Sequence, residues 1–74
     1  MMAGIEIIRL SYSPAVAYVS FPNGDVWAYA IYENRRMDDI IKHNRRNMGR
    51  VVALFKKWAY DSYKVDPKTL RPLD

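Results

Sequence analysis

Cysteine is absent from this 74-residue chain. That excludes a disulfide framework and any thiolate metal site. It also suits a reducing compartment. Histidine occurs once, at His43. A metal centre needs several convergent donors, and His43 has only Asp38 and Asp39 near it in sequence. Adjacent residues on a helix point apart, so no metal site is expected. Glycine is scarce, and Gly4, Gly24 and Gly49 stand alone. A phosphate-cradling loop needs them clustered. No apolar run approaches the roughly 18 residues that span a bilayer. The opening MMAGIEIIRL has neither a basic n-region nor a long apolar core, so no signal peptide is expected. Ser11, Ser13, Ser20 and Ser62 would share one histidine as base, and no pair of carboxylates is held together by spacing. No catalytic residue and no cofactor is expected, and the chain reads as a non-enzyme.

What the chain does have is Ala15 to Tyr32, AVAYVSFPNGDVWAYAIY. Two apolar, β-favouring runs flank Pro22-Asn23-Gly24-Asp25. Asn-Gly between such runs is the strongest short-range hairpin signal, because both residues take φ > 0 cheaply. A two-residue Asn23-Gly24 loop sets a register. It places Phe21, Val19 and Ala17 opposite Val26, Ala28 and Ala30 on one face. Ser20, Tyr18 and Val16 then meet Trp27, Tyr29 and Ile31 on the other. Both faces are apolar, although a hairpin with one wet face alternates apolar with polar. Each face therefore needs a cover.

Ile5 to Leu10 reads as a further strand, ended by Tyr12-Ser13-Pro14. Three strands in an antiparallel meander are expected. Asn34 suits a helix N-cap. Helix one is expected from Arg35 to His43, with Met37, Ile40 and Ile41 on its apolar face. Arg35–Asp39 and Asp38–Lys42 are spaced as i, i+4 ion pairs. Asn44 to Gly49 breaks the pattern. Helix two is expected from Arg50 to Tyr63, with Val51, Val52, Phe55, Trp58, Ala59 and Ser62 as its stripe. The fold class is thus α+β: a three-stranded antiparallel meander, two short helices, and a flexible C-terminal tail. Residues 1–64 form the single compact domain and residues 65–74 the tail. Asn34-Arg35-Arg36-Met37 echoes Asn44-Arg45-Arg46-Asn47-Met48, a capping device that also displays arginines.

Net charge is +4, unevenly placed. Residues 35–57 hold eight Lys and Arg against two Asp, while residues 1–34 hold one Arg against three carboxylates. A basic block of this kind meets an acidic protein surface or a nucleic acid, or it is a solvated helix face. Tyr, Trp and Arg are the residue types that anchor protein interfaces. The candidate partner-binding set is Tyr18, Trp27, Tyr29, Ile7 and Arg9, with Arg35, Arg45 and Arg46 as a charged rim. The alternative is a small basic RNA-binding module, with the sheet aromatics stacking bases. No helix-turn-helix spacing or RNP-like motif supports it.

Two resemblances accompany these residues. Phe21 to Tyr29 and the helix that follows resemble the sheet-and-helix plan of the small KTSC domains, without their Lys-Thr-Ser-Cys-type start. In length, charge, aromatic content and its MMAGIEIIRL start, the chain resembles the small basic regulators that lytic phages, the Xanthomonas-phage type among them, direct at host transcription. That resemblance implies a transcription regulator that acts in the host cytoplasm. A monomer is expected, with dimerisation through an open sheet edge as the alternative. It implies bacterial RNA polymerase as partner, near the N-terminal region of β′. It also implies inhibition of initiation or antitermination, by a steric or conformational mechanism.

Overall fold

The computed structural model describes residues 4–31, 33–44 and 46–73. Chain order is β1 (Glu6–Tyr12), β2 (Ala15–Ser20), β3 (Val26–Ile31), α1 (Asn34–Asn44), α2 (Met48–Trp58) and β4 (Ala59–Val65). The strands form one antiparallel sheet in the order β1-β2-β3-β4. The α+β class and both helices match the expectation; the sheet has four strands rather than three.

The central hairpin does not use a two-residue loop. Ser20 pairs with Val26, Val19 with Trp27, Tyr18 with Ala28 and Ala17 with Tyr29. Phe21 N–H donates to the Asp25 carbonyl (2.9 Å) and Gly24 N–H to the Phe21 carbonyl (3.0 Å). The turn therefore starts at Phe21, with Pro22 in the position its fixed φ suits. Gly24 follows in the left-handed region, φ 92°. This is the three-residue loop with a bulged glycine. Pro22 explains the difference: it has no N–H for a ladder pair opposite Asp25.

A slip of one residue turns one strand over relative to the other. Ala15, Ala17 and Val19 of β2 now share a side with Trp27, Tyr29 and Ile31 of β3. Both helices pack on that side. Small residues on β2 sit beside large ones on β3 beneath α1 and α2. Phe55, Met37, Val51 and Val19 are fully buried there. Tyr29 and Phe55 pack with ring centroids 6.2 Å apart and planes at 29°. In β1, Ile7 and Leu10 face the helices, and a bulge between Ile7 and Arg9 leaves Ile8 exposed.

The helices start differently. Asn47 caps α2, its Oδ1 accepting from Arg50 N–H at 3.0 Å. Asn34 is no such cap: its Nδ2 donates to the Tyr12 carbonyl at 2.9 Å. The expected repeat of one capping device therefore fails: Asn34 does not cap α1 with its side chain, and its counterpart Asn44 closes α1, while Asn47 caps α2. The expected i, i+4 pairs are also not formed. Tyr12 Oη donates to Asp38 Oδ1 at 2.8 Å, and that bond, with Asp38's charge, raises the Tyr12 pKa.

Helix two ends at Trp58, earlier than expected, and the chain passes into β4 without a loop. Ala59 is extended (φ −68°, ψ 129°). Asp61, Tyr63 and Val65 alternate with Ser62 and Lys64, a period of two that β3 templates, and a register shift before Asp61 returns Ala59 to the helical side beside Ile31. The expected loose tail is also folded. Asp66 Oδ1 accepts from Lys68 and Thr69 N–H, and Asp66 exchanges backbone bonds with Leu70 and Arg71. Leu73 N–H then donates to the Lys64 carbonyl, and Val65 bridges Pro72.

Candidate interaction surfaces

The sheet presents two unlike sides. Its open side has no helix. Val16, Val26, Ala28, Ala30 and Val65 are nevertheless buried there, covered by Tyr18, Tyr63 and Leu70. The registers align Arg9, Tyr18, Ala28 and Tyr63 in one row across all four strands. The two tyrosines thus bracket an alanine. Burial raises the Tyr63 pKa, with smaller contributions from Tyr18, Asp61 and Tyr60. Leu70 has φ 61°, a strained backbone for a side chain of its size, and its packing on this cluster holds it there.

The helical side carries the charge. Arg35, Arg36, Lys42, Arg46, Arg50, Lys56 and Lys57 are all exposed. Among the described residues one ion pair forms, Lys64 Nζ to Asp25 Oδ2 at 3.4 Å, and it involves neither helix. Arg35 and Arg36 lie in the first turn of α1, which has no acidic residue. The helix macrodipole disfavours cations at that end. Arg36 offsets this by stacking 4.4 Å over the Trp58 ring. Both residues line a shallow depression of about 400 Å³ with Glu33, Asp39 and His43.

An open concavity lies between α2 and β4, at the hairpin end. It measures about 540 Å³, and its walls include Phe21, Trp27, Tyr29, Asp25, Lys56 and Ser62. It exists because β4 extends the sheet beyond the helices. Ser62 pairs with Tyr29 and Lys64 with Trp27, so a small and a flexible residue stand where another helix would pack. Lys56 Nζ sits 5.9 Å from the Phe21 ring centroid.

The structure therefore divides the residues singled out in the sequence. Tyr18 and Arg9 are on the open side. Trp27 lines the groove. Tyr29 is 2% exposed beneath α2, and Ile7 is half-buried against the same core. Tyr18 does not join Trp27 and Tyr29 on one face, as the two-residue loop required. Arg35 and Arg46 are exposed on the helical side, and Arg45 lies outside the described residues. Sequence reasoning missed Phe21, Lys56, Ser62 and Tyr63 as surface formers. The Tyr60 to Val65 alternation is the signal that places Ser62 and Tyr63. Among the described residues no three of His, Cys, Asp and Glu gather as metal ligands, and no helix is long and apolar enough to cross a membrane.

No protein-family model, no curated protein and no solved structure matches this chain.

Proposed function

We propose that this chain is a non-enzymatic protein-binding module that regulates bacterial host RNA polymerase, inhibiting initiation or suppressing termination. One observation carries the binding reading: seven exposed Lys and Arg between positions 35 and 57 have no ion-pair partner among the described residues. Two of them, Arg35 and Arg36, occupy the helix end where cations cost stability. An acidic partner surface supplies the missing counter-charge and speeds encounter. The resemblance to small phage regulators supports RNA polymerase, near the β′ N-terminal region, as that partner. On this reading Arg35 and Arg46 form the rim, Trp27 is an anchor, and the protein acts as a monomer in the host cytoplasm.

The test is a pull-down of core polymerase on the tagged protein from nuclease-treated bacterial lysate. Polymerase subunits are expected to be retained, and the double substitution Arg35→Glu with Arg46→Glu to reduce capture about tenfold or more, roughly 1.4 kcal/mol. Loss of capture on nuclease treatment refutes the reading. The Arg9–Tyr18–Ala28–Tyr63 row favours a second reading, RNA held by stacking on the open side. Binding to oligouridylate would then fall steeply with salt, at about 0.7 log units per phosphate contact for each log unit of salt. Tyr18→Ala would weaken that binding.

A further inference from the structure

We infer that the groove between α2 and β4 takes an apolar anchor side chain from an acidic peptide segment of the partner protein. This rests on the protein-binding reading above and names the site and the chemistry of the segment. The floor and one wall are aromatic, from Phe21, Trp27 and Tyr29. At about 540 Å³ the volume falls within the range of formed ligand sites. The chain's own C-terminal segment does not fill it, because Leu70 packs on the opposite side of the sheet.

Charge selects the flanks of the incoming segment. The one carboxylate on the groove wall, Asp25, is already held by Lys64 at 3.4 Å and by Asn23 Nδ2 at 3.2 Å. Lys56 projects over Phe21 with no carboxylate partner among the described residues. Lys57 and the arginines of α1 and α2 are exposed as well and add to the positive charge of the helical layer. A basic segment is repelled here, and an acidic one is drawn in and held at Lys56. A nucleic-acid strand fits less well. Lys56 is the one uncommitted cation among the named wall residues, whereas a strand needs a row of cations along its phosphates.

The experiment uses the full chain and an octapeptide with one Phe and one Leu between flanks of Asp and Glu. Backbone and indole amides are followed by 1H–15N NMR. The Trp27 indole and the Ser62 and Lys56 amides are expected to shift saturably, while the Trp58 indole, outside the groove, stays in place. Replacing the peptide's two apolar residues by alanine should weaken binding at least about tenfold, as should Lys56→Glu. Ser62→Tyr, which fills the groove from an exposed strand position, should abolish the shifts while the rest of the spectrum shows the fold intact. The inference is overturned if no groove resonance moves at millimolar peptide. It is overturned if the shifts survive loss of the apolar residues, or if a 12-nucleotide oligouridylate moves these resonances more than the peptide does. The polymerase pull-down then separates the two ideas. Capture that Ser62→Tyr leaves unchanged, and that the arginine substitutions abolish, removes the groove and keeps the partner. Peptide binding without polymerase capture keeps the groove and removes that partner.

Discussion

The two sides of the sheet are built from alternate residues of the same strands, yet they solve opposite problems. On the helical side β2 supplies Ala15, Ala17 and Val19, and α1 and α2 bring Met37, Ile40, Val51 and Phe55 down onto them. That side buries its large residues and then adds charge on the outer surface of the helices. The open side has no second layer. Its strand residues are mostly alanine and valine, short enough that Tyr18, Tyr63 and Leu70 can lie across them. One side is sealed by secondary structure and the other by individual side chains. A small domain thereby buries both faces of a hairpin that its helices can cover only once. Size makes this necessary, because a chain of this length has little core to spare.

Substitutions can break this comparison, and the largest effect belongs on the helical side. Phe55→Ala removes a fully buried ring that packs on Tyr29. It should cost about 3–5 kcal/mol, read as a fall in the urea midpoint or as failure to fold. On the open side Tyr63→Ala uncovers Ala28 and its neighbours. It should cost about 1–2 kcal/mol, less than a full core truncation because the ring is only partly buried. A cost within about 0.5 kcal/mol, the usual range for surface sites, would show that the open side is not a second core.

The next effect has the opposite sign. Arg35→Glu places an anion in the first turn of α1, where the macrodipole favours it. It should raise stability by about 0.3–1 kcal/mol in thermal unfolding at low salt, while polymerase capture falls. If stability and capture fall together, Arg35 is a structural residue and the charge argument fails. The smallest effect appears at high pH. Burial raises the Tyr29 pKa, so the folded chain holds this proton more tightly than the unfolded one. Stability is complete below the unfolded tyrosine value of about 10 and declines as pH climbs from there toward the folded value. Tyr29→Phe should flatten the alkaline part of the melting-temperature profile. An unchanged slope would reject the assignment.

Much of this arrangement can be read from the residues. The first three strands and α1 carry their patterns openly, and Asn34 to Asn44 matches its expected bounds within a residue. The register was hidden because two turn signals overlap. Asn23-Gly24 asks for a two-residue loop, and Pro22 one position earlier overrides it. β4 was hidden for a different reason. Trp58, Ala59 and Ser62 continue the helical stripe of Phe55, while Asp61 to Val65 also alternates, and only an available strand edge at β3 decides between them. The tail depended on Asp66, whose short side chain organises a turn that composition alone reports as disorder. Of the groove, Trp27 was visible as a candidate anchor. Its meeting with Lys56 and Ser62 required β4, so it lay beyond any reading that ended the sheet at Ile31.

The direct step from Trp58 into β4 has a consequence for synthesis. A nascent chain emerges in order, so the basic helices are complete before Ala59–Val65 can pair with β3. Closing that pairing brings together Ile31 and Ala59 across both helices. Until then Lys56 and Trp27 are present without the wall that Ser62 provides. On the proposed reading, the surface that attracts acidic partners therefore precedes the recess that selects among them, and a ribosome-bound or clipped chain lacking β4 would be adhesive without being discriminating.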